Sequence, residues 1–356
     1  MGQLTILDNR APHCPFVHRL EEHDNHCFSM GIEKPGYEVL AEDHPDIDEW
    51  LAVIRGIDLQ NVRALPVMLP DFFNTDFIPT IRRGDSELLA AHKPKFVAIR
   101  LEDVVSRHEL RVAKNLDRFG LPKGTKPILQ CYGSDTLIEN LWPLRKEVFA
   151  QLAKLGFVAA TSVNYSMWDD QPHAERLINI KRGLITFEDW QAAGVPAIPH
   201  IYWYGYKDLA AWAEWLRANP DVDVVAINLQ TIRSQLEWDQ AMRHLAYFVS
   251  ILKGRPVHFL INGPSSLVRV HELNDLLPSF TLSNAYVTRT ASAGQIISRQ
   301  DDDAWTNYSP LPRRDIFRSN STLYEQYLAK MRDKYPAKTK NIQRNPSPQK
   351  ENPAKP

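Results

Sequence analysis

The sequence predicts a (β/α)8 barrel, and three observations carry that expectation. Short β-branched or apolar runs recur roughly every 25–40 residues, the length of one βα unit. Amphipathic stretches of helical period lie between them. Glycines fall where successive helices must stop and feed the next strand. The chain has 356 residues and is 44% hydrophobic and 24% charged, an ordinary balance for one large α/β domain. The competing fold, an open doubly wound sheet, would normally carry a Gly-rich phosphate loop in its first βα turn. Here 25 prolines outnumber 15 glycines, and no GxGxxG, Walker A, HExxH or GxSxG motif occurs. The nearest approach, Gly120 to Lys126, is one residue short of a Walker loop with Pro122 inside it, and reads as a helix-to-strand turn.

Taken in order, residues 1–45 are irregular and rich in histidine, and Ile47–Ile54 reads as a leading helix with Trp50, Leu51 and Ile54 on one face. The barrel is expected over about residues 46–300. Its strand-like runs are Ala64–Leu69, Phe96–Leu101, Pro127–Tyr132 and Phe157–Ser162, then Ala197–Tyr202, Val222–Asn228, Val257–Asn262 and Phe280–Ala285. Helical faces between them include Leu141, Leu144, Val148 and Leu152, then Leu209, Trp212, Trp215 and Leu216, then Leu245, Phe248, Val249 and Leu252. Gly120, Gly156, Gly194 and Gly254 are the helix-ending glycines. A C-terminal extension, 301–335, carries a last amphipathic helix at Leu323–Tyr335. The basic tail, 336–356, has Ile342 as its one large apolar residue and is expected to be disordered.

Charge and cysteine content narrow the function classes. With 42 Lys+Arg against 43 Asp+Glu the formal charge is −1, so bulk charge does not make this a nucleic-acid-coating polycation, though a local basic patch stays open. No apolar run reaches the roughly 18 residues of a membrane span, and the first residues lack the pattern of a secretory signal. Three cysteines argue against a disulfide framework. A cytoplasmic protein is expected. Cys14, His18, His26 and Cys27, crowded with His13 and His23, could complete a tetrahedral zinc site, although their spacing matches no standard finger.

A barrel places its active site at the C-terminal ends of its strands, and the residues there can be read off. Carboxylates are Asp71 after strand 1, Glu102 and Asp103 after strand 2, Asp135 after strand 3 and Asp169 after strand 4. Glu102 and Asp103 read equally well as first-turn charges of the next helix. His200 ends strand 5 as a base, a ligand contact or a hydrogen-bonded core histidine. Asp71 and Asp135, then His200, are the candidate catalytic groups. The rim is rich in amides: Gln130, Asn164, Asn228, Gln230, Asn262 and Asn284. Each supplies a donor and an acceptor, which suits the edge of a nucleobase or a sugar face, and Trp168, Tyr202 and Trp203 could stack on such a ligand. Ser265 and Arg289 follow strands 7 and 8, where barrels often hold phosphate. Sugar hydrolases on barrels place glutamates after strands 4 and 7; Asn164 and Asn262 stand there instead.

One stretch carries a family likeness. Ser162-Val-Asn-Tyr-Ser-Met-Trp168, then Pro172, Asn179-Ile-Lys-Arg182, Gly194 to Pro199 and Trp203, resembles the domain of unknown function 4417 over about residues 157–266. The resemblance implies a setting in bacterial and phage mobile elements but no settled activity, and Asn164 stands where that family usually has an acidic residue. A weaker likeness joins Thr288-Arg289 to Gly294 with queuine-type transglycosylase barrels, which exchange a base on nucleic acid. The nucleophilic Asp of those enzymes would fall at Ser283 or Asn284, and their zinc-binding cysteine cluster is missing. The combined expectation is a barrel that binds a nucleotide-like or nucleic acid ligand, without a redox cofactor or a membrane partner. Glycosyl or phosphoryl-group chemistry is one version of it; a catalytically silent binding module is the other.

Overall fold

Runs of five apolar residues are too short for buried helices but suit strands covered on both faces, and they assemble here into one ring. The computed structural model of the chain describes residues 47–66, 69, 75–167, 173–300 and 303–334. Asp71, Asn74, Trp168, Asp169, the Cys14/His18/His26/Cys27 group and the basic tail lie outside the described residues. The strands are β1 (Phe77–Ile81), β2 (Phe96–Arg100), β3 (Lys126–Gln130), β4 (Ala159–Thr161), β5 (Ala197–Ile198), β6 (Val224–Asn228), β7 (His258–Asn262) and β8 (Phe280–Asn284). All ladders are parallel, in the order β5-β4-β3-β2-β1-β8-β7-β6. The first strand pairs with the last, Ile78 opposite Ser283. The ring closes between β5 and β6 through a single bridge, His200 to Ala226, with Ala226 N–H donating to Pro199 O (2.9 Å) and Ile201 N–H to Ala226 O (2.8 Å). This seam is narrow because Pro199 has no N–H to give a ladder. The fold is the expected α/β barrel, and the open sheet is excluded.

One strand corrects the sequence reading. Ala64–Leu69 does not form the first strand; its described part crosses the ends of two helices, with Ala64 N–H on Asn219 Oδ1 (2.8 Å) and Leu65 N–H on Gln191 Oε1 (3.0 Å). The true β1 begins at Phe77, so Asp71 precedes it rather than follows it.

The helices are α1 (Ile47–Ile54), α2 (Leu101–Val104), α3 (Asp135–Leu152), α4 (His173–Ala192), α5 (Tyr206–Ala218), α6 (Gln235–Ile251), α7 (Leu267–Leu276), α8 (Tyr286–Ser292) and α9 (Arg313–Lys334). The expected faces of α5 and α6 point inward. On α3, Leu144 is 50% exposed, because Ile138, Trp142 and Phe149 draw the buried stripe to the other side of Leu141. The four helix-ending glycines all have positive φ, and Gly120 ends a 3₁₀ turn before β3, as a turn rather than a phosphate loop.

The first two units are thin outside: β1 is followed only by a 3₁₀ turn at Asp85–Ala90 and β2 by the four-residue α2. α9, which starts ten residues earlier than its sequence pattern suggested, fills that gap. Tyr324 stacks on Phe77 with ring centroids 5.2 Å apart, and its hydroxyl donates to Ser265 O. Before α9 an antiparallel hairpin, β9 (Gln295–Gln300) with β10 (Asp303–Tyr308), was not anticipated. Asn320 sews it to the helix, accepting from Ile297 N–H (2.8 Å) and donating to Gln295 O (3.1 Å).

Inside the ring, Ile78, Phe96, Ala98, Ile128, Ala159, Ile198, Val224, Ala226 and Leu260 form an apolar plug. Same-face positions two residues further along each strand turn polar: Thr80 after Ile78, Arg100 after Ala98, Gln130 after Ile128, Asn228 after Ala226, Asn262 after Leu260. The alternation that builds the core thus delivers a polar layer to the C-terminal mouth. Among the described residues no helix is long and apolar enough to cross a membrane.

Candidate functional site

Above that polar layer lies a cavity of about 360 Å³ whose walls include Thr80, Arg82, Arg100, Gln130, Gln230, Arg233, Asn262, Ser265, Asn284, Tyr286 and Arg289. Its floor is a hydrogen-bonded set. Gln130 Nε2 donates to Ser283 Oγ (3.0 Å), with Thr80 Oγ1 3.3 Å from the same oxygen. Asn262 Nδ2 donates to Asn228 Oδ1 (2.9 Å), and Asn284 Nδ2 to Pro264 O (2.8 Å). Gly263, with φ +118°, brings the β7 turn against the β6 turn; a Cβ there would collide with the Gln230 backbone nitrogen.

Four arginines face this space, and among the described residues no carboxylate lines it. Arg100 is already matched, by Glu102 (2.6 Å) and Asp103 (3.2 Å); burial pushes the Asp103 carboxyl up while Arg100 opposes the shift. Glu102 and Asp103 are therefore first-turn charges of α2 that hold Arg100. Arg82, Arg233 and Arg289 make no ion pair with another described residue. Arg82 lies within electrostatic reach of Asp85 and Asp103 and opposes the burial that raises both carboxyls; the three guanidinium groups and the amide donors give the concave mouth a cationic lining of the kind that suits anions. Burial raises the Tyr286 hydroxyl pKa, with Arg289, 5.6 Å from its ring, pulling the other way.

Beside the cavity, on the β4–β6 side, is an aromatic annex of about 200 Å³ lined by Met167, Tyr202, Trp203, Tyr204, Asn228, Ile232, Glu237 and His244, among others. The chain links the two spaces through the turn from Asn228 to Gln230. The aromatic walls are held from behind. Trp203 Nε1 donates to His244 Nδ1 (3.0 Å). Trp212 Nε1 donates to Tyr202 O (2.9 Å), and the Arg176 guanidinium lies 3.5 Å from the centre of the Tyr204 ring. Burial and Arg243 together lower the His244 pKa. Glu237 caps α6 by accepting from Ser234 N–H (3.1 Å), which holds its carboxyl below the usual range.

The structure therefore gathers Gln130, Gln230, Asn262, Ser265 and Arg289 in the cavity and Tyr202, Trp203 and Asn228 in the annex. Asn164 lines neither, nor do Asp135 and His200. Asp135 opens α3 and accepts the Ser166 hydroxyl, tying down the turn after β4. That turn is further held by Asn179 Nδ2 on Ser166 O (2.9 Å) and by Arg182, which is ion-paired with Glu139 and lies 3.8 Å over the Tyr165 ring. His200 is 3% exposed, and burial lowers its pKa to about 3. Among the described residues no cluster of three metal-ligating side chains forms. Sequence reasoning missed Arg82 and Arg233. Arg82 follows the strand that was placed too early; Arg233 stands five residues past the end of β6, beyond the positions read as rim.

Fold and mouth together define a closed parallel barrel with a cationic, amide-lined opening at its strand ends. The chain belongs to the family described as domain of unknown function (DUF4417), whose model matches residues 95–274. The match runs from β2 into α7, wider than the stretch that carried the sequence likeness. It includes the whole annex and Arg100, Gln130, Gln230, Arg233 and Asn262, while Arg82, Asn284 and Arg289 lie outside it. No curated protein matches the chain.

Proposed function

We propose that the barrel binds a nucleotide-like ligand or a nucleic acid end, with phosphate among Arg82, Arg233 and Arg289 and the base toward the aromatic annex. The observation that carries this reading is the convergence of three arginines outside any ion pair and four amides on a cavity that no described carboxylate lines. A phosphate accepts charge-assisted hydrogen bonds from such a set, and the adjoining aromatic walls suit a flat heterocycle. A binding role fits better than glycosyl chemistry, which needs two carboxyl groups flanking the reacting bond: no described carboxylate lines the arginine cavity, and Asp135 is held by the Ser166 hydroxyl. Nucleotide recognition would suit the mobile-DNA setting that the family resemblance implies.

Thermal unfolding with and without inorganic phosphate, nucleoside monophosphates and short oligonucleotides tests the reading. A nucleotide at 100 times its Kd stabilises a folded protein by about 2.7 kcal/mol, a readily measured rise in Tm. Binding of sugars and nucleosides in preference to their phosphates would overturn it.

A further inference from the structure

The segment after β6 is a partition between the two spaces. Asn228, Thr231 and Ile232 line the annex, while Gln230 and Arg233 line the arginine cavity. Hydrogen bonds fix it in advance of any ligand. Arg269 donates to Ile232 O (2.8 Å) and Arg233 O (3.0 Å), and Glu237 Oε2 accepts from Arg233 N–H (3.3 Å) and Ser234 N–H (3.1 Å). Glu237 also begins a stripe along α6. With Gln240, Ala241 and His244 it stands at helical spacing, so one face of the helix fronts the annex beside the aromatic run Tyr202, Trp203 and Tyr204. Glu237 and Gln240 are exposed and Ala241 and His244 are buried, so a ligand reaches the stripe from solvent. The two spaces differ in the sign of their charge. The cavity presents arginines; among the described residues no lysine or arginine lines the annex, and its carboxylate is Glu237. Both bonds to Glu237 end on Oε2, leaving Oε1 to accept from a ligand.

We infer that the annex selects guanine, with Glu237 accepting from its N1–H and amino edge while the arginines hold its phosphate. This rests on the nucleotide reading above and names the base. An ionised carboxylate accepts only, and the Ser234 N–H keeps that of Glu237 below the usual range. It therefore favours the base edge that presents donors side by side. Guanine does so, with N1–H next to an exocyclic amino group. Adenine and cytosine set a bare ring nitrogen beside their amino group, and uracil flanks its N–H with two carbonyls. Each of those turns a lone pair toward the charge. His244 adds the complementary group. Burial and Arg243 keep it neutral and its Nδ1 accepts from Trp203, so the ring proton sits on Nε2, a donor suited to the guanine carbonyl.

The test is calorimetric titration of the full chain with inorganic phosphate, ribose 5-phosphate and the 5′-monophosphates of guanosine, inosine, adenosine, cytidine and uridine. Guanosine monophosphate is expected to bind about tenfold tighter than adenosine monophosphate, the worth of hydrogen bonds to a charged acceptor. Inosine monophosphate, which lacks only the amino group, should fall between them. Glu237→Gln keeps the shape of the side chain and an oxygen for the Ser234 N–H but removes the charge, and should bring the guanosine-to-adenosine ratio toward one. Equal affinity for the two in the unaltered chain, or a preference for any other base, would overturn the guanine assignment and leave the nucleotide reading standing. A guanosine preference undiminished in Glu237→Gln would also overturn it, taking the discrimination away from the carboxylate. Failure of phosphate and every nucleotide to bind would remove both readings.

Discussion

Arg289 shows how little of a binding residue's importance is visible in the stability of the fold. Its side chain is exposed and unpaired among the described residues, so Arg289→Gln should leave Tm nearly unchanged. The same substitution should weaken phosphate or nucleotide binding by about tenfold to a hundredfold, the worth of a charge-assisted hydrogen bond, as titration will show. Arg182 is the opposite case. It is fully buried, paired with Glu139, and bonded to Asn179 Oδ1 (2.9 Å). Arg182→Met should cost about 3–5 kcal/mol in urea unfolding, because Glu139 is left charged and buried. Adding Glu139→Met should recover much of that loss. His200 sets a pH dependence of definite sign. Its pKa falls from 6.5 when unfolded to about 3 when folded, so between those values the unfolded chain binds the extra proton and stability drops as pH falls. The slope from this one group is at most about 1.4 kcal/mol per pH unit. Unfolding curves of His200→Phe should be flatter from pH 6 to pH 4.

At the scale of elements, Gly263 is the joint between the β6 and β7 turns. Gly263→Ala meets both an unfavourable φ and the Gln230 backbone. It should displace Gln230 and Arg233, lowering ligand affinity together with Tm; paired titration and melting measurements check it. The elements that the sequence made legible are those whose local signals agree with their tertiary role. Val224–Asn228 and His258–Asn262 carry unbroken apolar stretches, Phe280–Asn284 alternates apolar and polar residues, and all three became strands, while the glycine stops fell where the helices end. β1 was obscured because Phe77–Ile81 carries Pro79 at its centre, a residue that demotes a strand, while the apolar Ala64–Leu69 offered a decoy. The front half of α9 was hidden by Asn320, a polar residue at a core position. In the site, the amides could be read from strand ends because side chains alternate along a strand; Arg82 was lost with β1. Asp135 looked catalytic because its contact with Ser166, 31 residues away, is a tertiary fact.

For the molecule as a whole, the outer wall is uneven, and α9 completes it over β1. A chain ending before Arg313 would expose Phe77, Leu88 and Leu89, all now buried. Such a truncation should lose its cooperative unfolding transition and aggregate, which circular dichroism melts and gel filtration will show. The seam between β5 and β6, held by one bridge, is the other weak place. Amide exchange at Ile201 and Ala226 should outpace that of β7, whose ladders on both sides are continuous.

The pairing of β1 with β8 also bears on how the molecule is made. The Thr288 hydroxyl donates to Thr80 O across 208 residues of sequence, so the first strand has no lasting neighbour on that side until nearly the whole chain exists. Synthesis from the N-terminus produces β1 to β7 before β8, so the β1 and β7 edges that β8 joins both wait for it, and contacts of such long sequence separation form slowly. The barrel therefore closes late, at one stroke, when β8 and α9 leave the ribosome and clamp the waiting β1 between them.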